Sequence, residues 1–194
     1  LWQKYTLRGV YMSKREQVIN TARDLFSELG YRKVSMDEIA RVSGVTKRTI
    51  YTYFKDKDDL IKYFLYEEIN KMKLMTEEID KKDISFTQKI HENIMMLMEY
   101  RTNSKLLNEF SSAHKRLRIA DECEEILNQA FQSEIKKKLD LAIEEGHIKQ
   151  CNTDVVAFVI YKIYVALMFE WDKPLDKKSA TERIMNILEN GLFV

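Results

Sequence analysis

Residues 44–60, GVTKRTIYTYFKDKDDL, decide the fold of this 194-residue chain. Gly44 can adopt the left-handed conformation that ends a helix without a side-chain clash. Thr46 then caps a helix predicted over 47–53, and Asp56 caps another that begins at once. Upstream, Ser35 and Glu38 have the spacing of a capping box, in which hydroxyl and carboxylate satisfy backbone donors that an opening helix leaves free. A helix should therefore begin near Met36. Two short helices joined by a tight glycine turn form a helix-turn-helix.

The side chains sort on that geometry. Ile39, Ala40, Val45, Ile50 and Phe54 fall where the helices must pack, and Ala40 is small enough to let two axes approach. Lys47, Arg48, Thr49, Tyr51, Thr52 and Tyr53 occupy the other face. Lysine and arginine can pair with phosphates or guanine edges, and tyrosine and threonine hydroxyls reach phosphate oxygens. Lys57 opens a helix where the backbone dipole favours acids, and a phosphate in front of that helix end would account for it. The two cap hydroxyls, Ser35 and Thr46, complete the candidate DNA-binding set. Phe54 and Tyr31 suit a core rather than a DNA contact, and a single surface lysine is commonly just solvated. Asp37 stands out as an acid in this basic region: it can accept from a cytosine amine, or simply favour the start of its own helix.

Outward from the turn, Ser13 and Glu16 form a second capping box. Val18, Ala22, Leu25, Phe26 and Leu29 then recur at helical spacing before Gly30. This stripe should cover the two short helices and complete a three-helix head. Residues 13–60 resemble the DNA-binding domain of the TetR (tetracycline repressor, AcrR-like) family, whose pattern combines an alanine-bearing amphipathic first helix with two phrases resembling those found here. The match is carried by Ala22, Phe26, Gly30, Tyr31, Ser35, Ile39, Ala40, Gly44, Val45, Lys47, Thr49, Tyr51, Tyr53, Phe54, Lys55, Lys57 and Leu60. Asp37 departs from it, since some members place a basic or hydroxyl group there.

Composition agrees with a two-part chain. Hydrophobic residues make up 45% of it, and a single proline with five glycines leaves long helices little interrupted. The net charge of +1 hides an asymmetry: residues 1–62 hold 13 Lys and Arg against 8 Asp and Glu, leaving 19 against 23 in the remainder. Cys123 and Cys151 lie apart, and the three histidines lack metal-ligand spacing, so neither a zinc site nor a cofactor is expected. No apolar run approaches the roughly 20 residues that span a bilayer, which predicts a cytoplasmic protein without membrane contact. Residues 1–12 read as an N-terminal extension, 13–60 as the head, and 61–194 as a second, larger domain.

That second part reads as all-α, giving about nine helices in the whole chain. The helix capped by Asp56 should run to about residue 80 as a rigid strut. Ser85 with Gln88 opens the next, and further helices are predicted over about 103–118, 121–145, 153–171 and 176–190, the last stopping at Gly191. Resemblance to the family implies that this domain binds a ligand and dimerises through its last two helices. The segment 153–171 is apolar around most of its circumference, as expected of a helix buried on several sides. Val156, Ile160, Ile163 and Leu167, with Ile184, Ile187 and Leu188 from the last helix, form the candidate dimer interface; ordinary burial within one subunit is the alternative. Met72, Met75, Met95, Met98, Phe110, Phe131, Tyr161, Tyr164 and Met168 form the candidate pocket, because methionine adapts to irregular apolar sites. The same stripe also suits a plain core. His91, Asn93, Glu109 and His114, with Tyr161, are its candidate polar contacts.

The expected function is a homodimeric transcriptional regulator on a double-stranded, palindromic DNA operator, repressing until a small hydrophobic effector releases it. The alternative is a DNA-binding regulator or activator controlled by a protein partner or by no ligand. An enzyme is disfavoured, because no nucleophile, base and orienting group occur at recognisable spacing and no glycine-rich phosphate loop exists.

Overall fold

The computed structural model describes residues 12–107, 120–166 and 176–192. Among these residues there are eight helices and no strand: α1 (Lys14–Leu29), α2 (Met36–Ser43), α3 (Lys47–Tyr51), α4 (Lys57–Asp80), α5 (Phe86–Asn103), α6 (Ala120–Glu144), α7 (Thr153–Val165) and α8 (Lys177–Leu192). Residues 105–107 add a helical turn where a ninth helix was expected; the rest of that segment lies outside the described residues. The protein is all-α, as its sequence predicts.

The chain divides into two compact units, Leu1–Phe64 and Leu65–Val194. The division falls inside α4, later than residue 60, because Phe64 is fully buried and meets Phe26 of α1 edge to face at 5.9 Å. In the first unit, the Ser13 hydroxyl accepts from the Glu16 backbone N–H at 3.2 Å, while the Glu16 carboxylate accepts from the Ser13 N–H at 2.8 Å. Helix α1 buries Val18, Ile19, Thr21, Ala22 and Phe26 and packs on α2, leaving Leu29 exposed. Ser35 caps α2, and Gly44 ends it in the left-handed conformation (φ 70°, ψ 11°), its N–H donating to the Ala40 carbonyl at 3.1 Å. Ile39, Val45, Ile50 and Phe54 are buried, so the apolar side of the motif lies where the sequence places it.

The second unit has its own core. Leu139 and Ala142 of α6, Ile148 beyond the Gly146 turn and Ala157 of α7 pack together, with Phe86, Ile90, Val156 and Ile160 against them. Ser85 and Gln88 form the capping box that opens α5, and Asp56, Asn152 and Asp176 cap α4, α7 and α8 through their side chains. Helix α8 continues through Gly191 to Leu192, past the predicted stop. Glycine permits a left-handed ending but does not impose one, and right-handed helix remains open to it.

Candidate nucleic-acid interface

The second helix of the motif is short. Thr46 caps α3, its hydroxyl accepting from the Thr49 N–H at 3.3 Å. Helix α3 ends at Tyr51 rather than at residue 53, because Thr52 and Tyr53 close a tight turn. The Thr52 N–H donates to the Thr49 carbonyl at 3.2 Å, and the Tyr53 N–H to the Ile50 carbonyl at 2.9 Å. The Thr52 hydroxyl donates to the Thr49 carbonyl at 2.6 Å, so it is engaged inside the turn. Ile50 is the buried anchor of this helix. Around it, Ser35, Thr46, Lys47, Arg48, Tyr51, Thr52 and Tyr53 are exposed and Thr49 is half-buried. One face of α3 is thus apolar and packed, while the opposite face and the turn that follows present two bases and two phenols to solvent.

Those bases are held differently. The Lys47 ammonium pairs with the Asp37 carboxylate in the first turn of α2, and this hydrogen bond raises the lysine pKa above its ordinary value. Arg48, next to it, has neither an ion pair nor a hydrogen bond among the described residues. The Asp37–Lys47 pair went unseen in the sequence, since its partners are ten positions apart on two helices.

Lys57 corrects an expectation. Its ammonium does not stand open in front of α4. It donates to the carbonyls of Tyr31 at 2.8 Å and Val34 at 2.9 Å, and sits 4.1 Å from the centre of the Tyr31 ring. Partial burial lowers its pKa. The Tyr31 hydroxyl in turn donates to the buried Asp58 carboxylate. A lysine at this helix start is thus explained by the carbonyls of the segment between α1 and α2, with no phosphate required. Arg15 was also missed: its guanidinium lies 5.4 Å from the Phe54 ring centre and 4.9 Å from that of Tyr63, tying α1 to the end of the motif.

In the second unit, the candidate pocket residues come together only in part. The Tyr164 hydroxyl points at the Met72 sulfur at 3.8 Å, and its ring lies 5.9 Å from that of Phe131. Burial drives the Tyr164 pKa far up. Arg101, unremarked in the sequence, is close enough to act electrostatically on Tyr164, and desolvation lowers its pKa. Tyr161 is buried, and Met75 and Met95 are half-buried. The buried Met98 sulfur accepts from the Thr181 hydroxyl of α8 at 2.8 Å. His91 is half-buried, and the Asn93 amide donates to the Lys89 carbonyl of its own helix at 2.9 Å. Glu109, Phe110, His114, Leu167, Met168 and the side chain of Leu188 lie outside the described residues.

The apolar helices also carry a correction. Val156 and Ile160, assigned to a partner-facing surface, pack against the core of their own chain. Val155, Phe158 and Val159 are the exposed apolar residues of α7, at 57%, 46% and 44%, and Ile187 of α8 is 72% exposed. Ile163 and Ile184 are half-buried.

A glycine-turned pair of capped short helices, apolar behind and basic and aromatic in front, defines a helix-turn-helix DNA-binding protein. The profile of bacterial regulatory proteins of the TetR family matches residues 18–64, and the chain belongs to that family. It is a DNA-binding transcriptional regulator. Similarity extends past the head. The HTH-type transcriptional regulator YhgD of Bacillus subtilis is 29% identical over 183 residues, covering 92% of this chain and 94% of that protein. The fatty acid metabolism regulator protein of the same organism is 23% identical over 186 residues, covering 92% and 95%. A crystal structure described as a TetR-family transcriptional regulator from Syntrophomonas wolfei aligns with a TM-score of 0.76 at 21% identity, covering 91% of this chain and 93% of the other. No helix among the described residues is long and apolar enough to cross a membrane.

Proposed function

We propose that this protein is a homodimeric repressor, released from a near-palindromic operator by a small, largely apolar ligand. The observation that carries the DNA reading is the exposed face of α3, where Lys47, Arg48 and Tyr51 surround a helix anchored by buried Ile50. Two such helices in a symmetric dimer would enter successive major grooves about 34 to 36 Å apart. Phosphate contacts would give affinity and a steep salt dependence, and the few base contacts selectivity.

Self-association is supported by the apolar residues that one chain leaves uncovered. Val155, Phe158 and Val159 fall at helical spacing on one face of α7, a row that a second copy would cover. Ligand control is supported by the apolar and aromatic contacts of Met72, Phe131 and Tyr164, and by full-length similarity to a regulator of fatty acid metabolism. A lipophilic acyl compound is therefore the effector class to try first. A coupling of about 1 to 3 kcal/mol, roughly 5- to 150-fold in affinity, would suffice for release.

The test is binding of the purified protein to the duplex upstream of its own gene across a salt series, with and without long-chain acyl compounds. Selective binding with a steep salt slope, lost in Tyr51→Ala at unchanged thermal stability and weakened by ligand, is the expected result. Indifference to sequence would refute the operator reading. Selective binding that no acyl compound alters would refute the proposed effector class alone.

A further inference from the structure

We propose that Asp37 is a selectivity residue of the DNA-reading surface, acting by holding the Lys47 ammonium in an internal ion pair that only a suitable duplex replaces without loss. This rests on the reading of α3 as the DNA-facing helix.

The pair joins the first turn of α2 to the start of α3, so it spans the motif rather than bracing one helix. Both side chains are open to solvent, at 50% for Lys47 and 68% for Asp37. Exposed pairs contribute little to stability and exchange partners readily. Its neighbours leave it distinct. Arg41, the nearest base on α2, pairs with Glu38 at 3.4 Å, and Arg48 keeps no ion pair among the described residues. The recognition face thus offers one base that is available and one that is conditional.

The condition follows from counting ions. A lysine that neutralises a phosphate releases close to one counterion from duplex DNA. When Lys47 leaves Asp37 to do so, the freed carboxylate gathers a cation, so the net release at this contact is near zero. The carboxylate is also left beside a polyanion without a donor. A duplex that presents a cytosine amino group there in the major groove supplies that donor, because glutamate and aspartate accept from cytosine N4. Non-specific DNA, read through its phosphates alone, supplies none. Asp37 therefore weakens binding to the wrong sequence more than to the right one.

The experiment compares wild type, Asp37→Asn, Lys47→Ala and the double variant, by fluorescence anisotropy on the upstream duplex and on a shuffled duplex over a KCl series. Asp37→Asn is expected to bind the shuffled duplex about 2- to 5-fold tighter, with a smaller gain on the upstream duplex, so that the selectivity ratio falls. On the shuffled duplex, where no donor replaces Lys47, its slope of log K against log salt should steepen by about 0.9. In the Lys47→Ala background the same substitution should leave the slope unchanged. Thermal melting of each variant shows that folding is intact, and Asp37→Ser must reproduce the steepening. An unchanged slope in Asp37→Asn, or a steepening that persists without Lys47, overturns the proposal. Wild-type protein that binds neither duplex overturns the reading of α3 itself, a different and distinguishable result.

Discussion

Replacing Lys57 with methionine separates a structural lysine from a phosphate-binding one. The substitution keeps most of the stem and removes the ammonium, with its bonds to the Tyr31 carbonyl at 2.8 Å and the Val34 carbonyl at 2.9 Å and its position over the Tyr31 ring. Hydrogen bonds from a charged donor are worth about 1.5 to 3 kcal/mol when well buried. Lys57 is only partly buried, and the carbonyls can be rehydrated, so about 1 kcal/mol for each is the apt scale. The cation over the ring adds about 0.5 to 1 kcal/mol. Removing a positive charge from the first turn of α4 returns about 0.3 to 1 kcal/mol, because the helix dipole opposes a cation there. The net loss should be about 2 kcal/mol. For a chain of this length, that lowers Tm by about 4 to 8 °C. The assay is thermal unfolding followed by circular dichroism at matched protein concentration, paired with a salt series of DNA binding. If Lys57 bound a phosphate instead, Tm would hold while the salt slope fell by about 0.9. That outcome would refute the structural assignment.

Three further outcomes are expected. Gly44→Val should destabilise the head by at least about 1 to 2 kcal/mol, because Gly44 is left-handed at φ 70° and L-residues adopt that conformation at such a cost; loss of DNA binding at unchanged Tm would contradict the turn. Val159→Glu should shift the protein from dimer to monomer in light scattering, since Val159 is exposed on α7 and a carboxylate buried against a second copy would lack a partner; a dimer that survives it would place the interface elsewhere. Tyr164 sets an alkaline limit. Burial raises its pKa, so the folded state keeps this proton where the unfolded chain releases it, and stability falls as pH rises past about 10, at up to about 1.4 kcal/mol per pH unit. Tyr164→Phe should flatten that fall in urea unfolding above about pH 10, and an unchanged slope would show that Tyr164 is not the group responsible.

Much of the head was legible in the sequence because its signals are local. A capping box reports on four consecutive residues, and a glycine able to turn left-handed reports on one. Ser13 with Glu16, Ser35 before α2, Gly44, Thr46 and Asp56 could therefore be read without knowing any long-range contact, and together they mark the starts of α1 to α4 and the end of α2. Within α2 and α3, the burial of Ile39 and Ile50 against the exposure of Lys47, Arg48 and Tyr51 follows from helical period once those ends are known.

What the sequence could not supply is the choice among partners that chemistry leaves equally open. A lysine at a helix start can meet a phosphate, a carboxylate or a carbonyl, and only the approach of the segment carrying Tyr31 and Val34 directs Lys57 to carbonyls. The sequence likewise left two roles open to Asp37, and packing of α2 against α3 brings Lys47 to it. Helix α7 is the plainest instance. It is apolar around most of its surface, so periodicity has no polar face from which to set its phase, and Val156 could not be told from Val155. Packing of α6 on α7 turns Val156 and Ile160 inward and leaves Val155, Phe158 and Val159 outside. Local backbone rules thus determined where the helices of the head begin and where α2 ends, because each rests on neighbours in the chain. The partners of their charges and the buried side of a uniformly apolar helix were decided by tertiary structure, because both depend on which distant element fills the adjoining space.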